Sequence, residues 1–489
     1  DPAISEQATR LALAVKDVAL AQSALARWRQ LTPDALGVAQ ANASLALASG
    51  DENLAYAELQ GLAARPLQTP WRAVVQVLAS APDKAMAVRL LVRLATPERL
   101  GKLDTNWIAL SQLATRLGDS AVAERLAESA VSRFKSADAY AWSAKLALDR
   151  GDKILARNQY ELALNTEPAN LRMRSAYAAL LGDSGDNRGA ARVLSGGAQN
   201  DVTYGARAAY AARAEDTSIL AALYREMQAS KDQRSGKRLF LLGQVAEILE
   251  RPKEALGWYL EVTERDERWF DAGTRIVVVN DEIGDVAAAQ SRITILRQTV
   301  SSDPGALGDL YLLEASLLTQ KTRASEALAV YARGLEQLPD DSRLLYARAM
   351  LKIDGGDIGG AETDLRQIMS VEPDNADALN ALGYTLADRT TRLDEAKQLI
   401  ERALALKPDE AAIIDSLGWV NYRLGNLEEA ARLLRKAFEI NADAEIAAHL
   451  GEVLWVKGER DEARRIWAEA SKQAPENKVL IEAIQRLSL

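Results

Sequence analysis

The chain has 489 residues but no cysteine, one histidine and only 13 prolines. Without cysteine there is no disulfide, no thiolate metal site and no thiol nucleophile. That absence suits the cytosol and an exported compartment equally. A lone histidine, His449, has no second imidazole or thiolate with which to complete a metal site or a nucleophilic dyad. It reads as a groove or packing residue. Aromatic residues make up only 5%. No uninterrupted apolar run approaches 18 residues, so no segment has the length of a membrane-spanning helix. An excess of positive charge is missing too. Lys plus Arg number 60 against 69 Asp plus Glu, a net charge of −9, which argues against a nucleic-acid binder. The first residue is Asp1 and not methionine. The expectation is a chain that starts after a removed or truncated segment, where any signal or lipid anchor would lie.

What the chain does hold is alanine and leucine. They carry much of an apolar content of 48%, and both are strong helix formers because they lose little side-chain freedom in a helix. At this length one hydrophobic core would have stopped growing, so several domains or a repeat array are required.

The repeat is legible in the C-terminal third. Ala381-Leu382-Gly383-Tyr384 is answered by Ser416-Leu417-Gly418-Trp419 and by His449-Leu450-Gly451-Glu452, at spacings of 35 and 33 residues. A small residue follows each, at Ala396, Ala430 and Ala463. Traced backwards, that position falls at Ala361, Ala327, Ala289, Ala255, Ala221, Ala190, Ala156 and Ala123, at intervals of 31 to 38, and again at Ala55 and Ala21. Gly50-Asp51, Gly118-Asp119, Gly151-Asp152 and Gly284-Asp285 would end one helix and open the next. Pro33, Pro168, Pro339, Pro373, Pro408 and Pro475 would stop the second helices. Residues 62–100 fit worst, being cut by Pro66, Pro70, Pro82 and Pro97. The pieces Trp71–Ser80 and Lys84–Ala95 still form a candidate helix pair. The 38-residue interval from Ala289 to Ala327 predicts either a lengthened second helix or a longer loop near Ser301-Ser302-Asp303-Pro304. Glycine runs at Gly355-Gly356, Gly359-Gly360 and Ser195-Gly196-Gly197 lack the strand and the Lys-Ser/Thr of a phosphate loop. They read as turns between helices.

These residues resemble the tetratricopeptide repeat, a helix hairpin of about 34 residues. The resemblance implies an all-α fold, a tetratricopeptide-repeat superhelix (α-solenoid) of about 13–14 helix pairs. Its expected organisation is degenerate alanine-rich pairs over 1–234, more regular repeats over 235–475, and a closing helix over 476–489 that covers the last apolar face. In the family, first helices line a groove, which places Asn380, Tyr384, Asp415, Trp419, Tyr422, Arg423, Glu452 and Trp455 as candidates for protein binding. Tryptophan, tyrosine and arginine are frequent binding hot spots. The Lys and Asn of the family's carboxylate clamp are missing at Asn380 and Tyr384, Asp415 and Trp419, and Ala448 and Glu452, which argues against a chaperone-tail adaptor.

The stretch 376–470 further resembles bacterial outer-membrane tetratricopeptide lipoproteins. That resemblance implies a non-enzymatic periplasmic scaffold, lipid-anchored through an N-terminal residue absent from this sequence. It would bind and activate a carboxyl-terminal processing serine protease and deliver cell-wall hydrolase substrates to it. A structural part of a secretion, pilus or exopolysaccharide export machine is the alternative. No cofactor, metal or nucleic acid is expected.

Overall fold

The computed structural model describes residues 1–65, 70–230 and 234–487, the Pro70 side chain excepted. The described residues contain thirty helices and no strand. They fall into two compact units, Asp1–Arg251 and Pro252–Leu489.

In each unit the helices pair as antiparallel hairpins with a recurrent joint. The first helix ends at a glycine with positive φ, as at Gly50 (77°), Gly118 (90°), Gly151 (86°) and Gly284 (85°). The following aspartate caps the second helix: the Asp51, Asp119, Asp152 and Asp285 carboxylates each accept the N–H three residues on. Four residues past each of these caps comes the small position, and Ala55, Ala123, Ala156 and Ala289 are buried there. Second helices then end two residues before a proline. Helices Val18–Leu31, Lys153–Thr166, Ala324–Gln337, Ile358–Val371, Leu393–Leu406 and Arg460–Gln473 precede Pro33, Pro168, Pro339, Pro373, Pro408 and Pro475. The residue before a proline is kept out of the helical region, so the helix must stop there.

Two details differ from the sequence reading, at Ala221 and at the 38-residue interval, and a third, the segment cut by prolines, follows it with a looser pairing. The small position near 221 is occupied by Leu220, which is four residues past the cap Asp216 and buried, while Ala221 is partly exposed. Here the cap set the register and the alanine did not. The expected pair in the poorly fitting segment is present as Pro70–Ala79 and Lys84–Leu94, with Asp83 as cap and Ala87 fully buried at the small position, but each of the two packs more on helix Asp104–Leu117 than on the other. Pro70 and Pro97 open helices, and Pro66 lies outside the described residues. The 38-residue interval is absorbed by a first helix, Pro304–Gln320, of 17 residues, where its neighbours have 13 or 14. Neither the preceding second helix nor the loop is extended.

In the C-terminal unit the central hairpins share one apolar cluster that runs from Leu307 to Ile446, with further clusters under the first and last helices. Leu379, Leu382, Leu386 and Ile400 in it are fully buried, each contributing about 1.5–3 kcal/mol. Tight contact requires the glycines of the first helices. A Cβ on Gly418 would sit 2.6 Å from Leu434 Cγ, and Trp467 packs directly on Gly451. The closing helix Lys478–Leu487 lays Leu480 and Ala483 on the Gly451 hairpin.

Candidate functional site

Three consecutive first helices of the C-terminal unit, Ala376–Arg389, Ala411–Arg423 and Ala444–Lys457, present corresponding positions side by side. The closing helix stands across from them. Between them lies a cleft of about 530 Å³. Tyr384, Asp388 and Arg389 come from the first of these helices, and Trp419 from the second. Glu445, His449 and Glu452 come from the third, and Glu482 and Arg486 from the closing helix. Residues three or four apart share a helix face, which explains the sets 384/388 and 445/449/452.

At the floor is a polar relay through aromatic rings. His449 Nδ1 lies 2.9 Å from Asp415 Oδ2, and its Nε2 lies 3.3 Å from Tyr384 Oη. Tyr384 Oη donates to Glu445 Oε1 at 3.4 Å. The imidazole stacks on Trp419 with ring centroids 4.3 Å apart. Trp419 Nε1 donates to Asp388 Oδ1 at 3.3 Å, and Arg423 donates to the Asp388 carbonyl at 2.9 Å. Tyr422 Oη donates to Glu452 Oε1 at 3.1 Å. Arg486 forms an ion pair with the other oxygen of Glu452.

Burial alone would depress the pKa of His449. The Asp415 carboxylate, followed by Glu445 and Glu452, outweighs it and raises the value above the ordinary one. Burial also raises Glu445, against the pull of His449 and with the help of Asp415 and Asp443. Burial and then Glu452 push Tyr422 up to about 12. Tyr384 is driven upward by burial and by Glu445, Asp388 and Asp415. Each hydrogen bond of this relay fixes a ring or a carboxylate in place.

The structure therefore brings Tyr384, Asp415, Trp419, Tyr422, Arg423 and Glu452 into one connected network. Trp455 stands apart from it. Its ring packs 5.7 Å from Trp467, with Arg460 and Arg464 each 5.1 Å from its centroid. Asn380 is partly buried, does not line the cleft, and has a buried Oδ1 with no hydrogen-bond partner. The closing helix contributes two walls that the repeat pattern did not indicate, Glu482 and Arg486. Their only sequence signal is a polar face opposite Leu480 and Ala483. Among the described residues, no group of three or more His, Asp or Glu is arranged to hold a metal ion. No described helix is long and apolar enough to cross a membrane.

The N-terminal unit has a cleft of similar size, also about 530 Å³, on helices Asp104–Leu117, Ala137–Asp149 and Leu171–Asp183. Trp142, Tyr160, Lys145 and Arg172 line it. Trp142 Nε1 donates to Ser111 Oγ at 2.7 Å, which fixes the indole.

Both units thus belong to the class of stacked helix-hairpin arrays that expose a groove on their first helices. The repeats are tetratricopeptide repeats where the family model of that name matches, at residues 376–410 and 411–443. Over 213 residues the chain is 44% identical to a TPR repeat-containing protein of Pseudomonas aeruginosa, a match covering 44% of this chain and 35% of that protein. The chain thus matches only about a third of that relative's length. It is 33% identical over 81 residues to bacteriophage adsorption protein A of Escherichia coli, covering 17% of this chain and 8% of that one. Among solved structures it is similar to a thermophilic TPR protein of Thermus thermophilus, at 23% identity and a TM-score of 0.34, covering 37% of this chain and 100% of that one. Repeats of this kind are protein–protein interaction modules.

Proposed function

We propose that the chain is a non-catalytic adaptor that holds two proteins, one on each unit. The observation that carries this reading is the cleft on helices Ala376–Arg389, Ala411–Arg423 and Ala444–Lys457. There Tyr384 and the edge of the mostly buried Trp419 line the groove and are locked by hydrogen bonds, with Asp388, Glu445, His449 and Glu452 around them and Tyr422 holding Glu452 from behind. Rigid aromatic anchors ringed by polar groups are what a partner segment docks on, because their ordering cost has already been met. The separate cleft around Trp142 and Tyr160 gives the second surface.

The finer reading follows the resemblance of residues 376–470 to the lipoprotein binding partner of a carboxyl-terminal processing protease. The adaptor would act in the periplasm, tethered to the outer membrane by a lipid. It would activate the protease and bring it cell-wall hydrolases that cut peptidoglycan cross-links. The serine nucleophile would belong to the protease. The 44% identity to the Pseudomonas protein supports a bacterial setting for this reading.

The test mixes this chain, a purified carboxyl-terminal processing protease and a purified cell-wall hydrolase, and follows loss of the hydrolase. The expected result is faster degradation with the chain present, and a return to the basal rate with Trp419→Ala. Equal rates with and without the chain refute the protease reading.

A further inference from the structure

The C-terminal cleft has a charge imbalance that the fold itself does not correct. Five carboxylates line it: Asp354, Asp388, Glu445, Glu452 and Glu482. Asp388 is paired with Arg389 at 2.8 Å, and Asp415 beneath is paired with His449. Glu452 is held by Tyr422 and Arg486. Asp354, Glu445 and Glu482 face the cleft, and no ion pair to them is found among the described residues. Glu445 is half-buried, held by the Tyr384 hydroxyl and the nearby His449 but by no ion pair, and a carboxylate so placed is incompletely stabilised.

The Glu452 pair shows what such a carboxylate accepts. The Glu452 side chain is 7% exposed and that of Arg486 is 59% exposed. The guanidinium thus reaches in from solvent to a buried anion, carried by the last described helix. That helix buries only Leu480 and Ala483. An ion pair with one well-exposed partner contributes little, so Arg486 is easily displaced. Glu452 itself, out of water, requires some cation in its place.

Building on the reading of this cleft as a docking surface, we propose that it takes an arginine or lysine side chain from an extended segment of a protein partner. Arg486 is the placeholder that fills part of the site until the partner arrives. Glu445 and Glu452 are the acceptors, with Asp354 and Glu482 at the rim, and the fixed Trp419 and Tyr384 rings wall the stem of the incoming side chain. An acidic segment would meet the unpaired carboxylates Asp354, Glu445 and Glu482, while Arg389 and Arg486 are already engaged by Asp388 and Glu452, and would be disfavoured.

The test is calorimetric titration of the whole chain with three acetylated, amidated nine-residue peptides. Alanine alternates with arginine in one, lysine in another and glutamate in the third. The basic peptides are expected to bind and the acidic one not. Glu445→Gln should weaken basic-peptide binding about tenfold, the scale of one charge-assisted contact. Arg486→Gln should strengthen it several-fold, because a self-occupied fraction of the sites is released. Failure of basic peptides to bind both the parent and Arg486→Gln overturns the proposal. So does weaker binding by Arg486→Gln, equal binding of the acidic peptide, or indifference to Glu445→Gln. Circular dichroism of each variant guards against misfolding. Capture of the processing protease by Trp419→Ala, measured alongside, separates two kinds of failure. If basic peptides fail but that capture is lost, the cleft docks a partner of other chemistry. If capture by Trp419→Ala is also unchanged, the docking reading itself falls.

Discussion

Gly383→Ala adds one methyl group at a tight joint of the C-terminal unit. An ideal Cβ there falls 2.5 Å from Ile400 Cγ1 and 3.0 Å from the Ala396 carbonyl oxygen. Ile400 is fully buried and has no free space to rotate into, and Ala396 O is backbone, so the two helices must separate by a few tenths of an ångström. Overpacking of this kind costs about 1–3 kcal/mol. Replacing a mid-helix glycine returns up to about 1 kcal/mol of helix propensity. The net is about 1–2 kcal/mol of destabilisation. Because each hairpin is supported mainly by its neighbours, the loss is local. Amide exchange in helices Ala376–Arg389 and Leu393–Leu406 should therefore quicken about 5–30-fold. The control is Gly257→Ala, also mid-helix, where a Cβ meets nothing within 4 Å. It should slow exchange in its own helix, by about 0.5–1 kcal/mol. If both variants shift exchange in the same direction, the close-approach explanation of these glycines is wrong.

Other expected outcomes follow from the same structure. Asp364 is 1% exposed and holds Arg348 at 2.7 Å and Lys352 at 2.8 Å. Asp364→Ala should cost about 3 kcal/mol, the low end for a broken buried pair because both cations keep some water, read as a lower urea midpoint for the C-terminal unit. Gly197 has φ of +69°, and a Cβ there would lie 3.3 Å from Ala169 Cα and 3.0 Å from the Arg174 guanidinium. Gly197→Ala should destabilise by about 1–3 kcal/mol, measured as faster exchange in helix Leu171–Asp183. His449 and Glu445 both bind protons more tightly folded than unfolded. The stability contributed by His449 is complete below its unfolded pKa of about 6.5 and is lost as pH rises through its higher folded value. Glu445 acts in the same sense from about 4.3 upward. Urea midpoints of the C-terminal unit should fall from pH 6 to pH 8.5, and His449→Gln should flatten that slope. A midpoint that rises over this range in the parent would contradict the Asp415–His449 pairing.

The hairpin array was legible because its signals are local and redundant. Glycine with positive φ, aspartate cap, buried alanine and terminal proline each report on a few residues, and they recur together. Where one mark was consulted alone, the reading slipped: Ala221 was taken for a position that the Asp216 cap assigns to Leu220. Where prolines crowd the sequence, the pair Pro70–Ala79 and Lys84–Leu94 was still legible as Trp71–Ser80 and Lys84–Ala95, because proline at a helix start costs nothing. The extra turn of Pro304–Gln320 could not be placed from spacing, since an interval counts residues and not the helix that holds them.

The candidate site was legible only as far as the repeat extends. Position within the hairpin brought Tyr384, Asp415, Trp419 and Glu452 to one groove, because equivalent positions of stacked hairpins must be neighbours. It could not show that His449 lies between Asp415 and Tyr384, a pairing that spans residues 34 and 65 apart. Nor could it bring Arg486 to Glu452, since the closing helix belongs to no repeat and its packing direction is set by its own apolar face, Leu480 and Ala483 with Val479, Ile484 and Leu487 around them. Repetition fixes which side chains share a surface, and the non-repeating residues fix the charge that surface presents. In this cleft the charge presented is set by His449, Glu445 and Arg486, positions that the repeat marks do not specify. Substituting the exposed Arg486 changes that charge without touching the buried core, whereas substituting His449 also strands the buried Asp415 carboxylate.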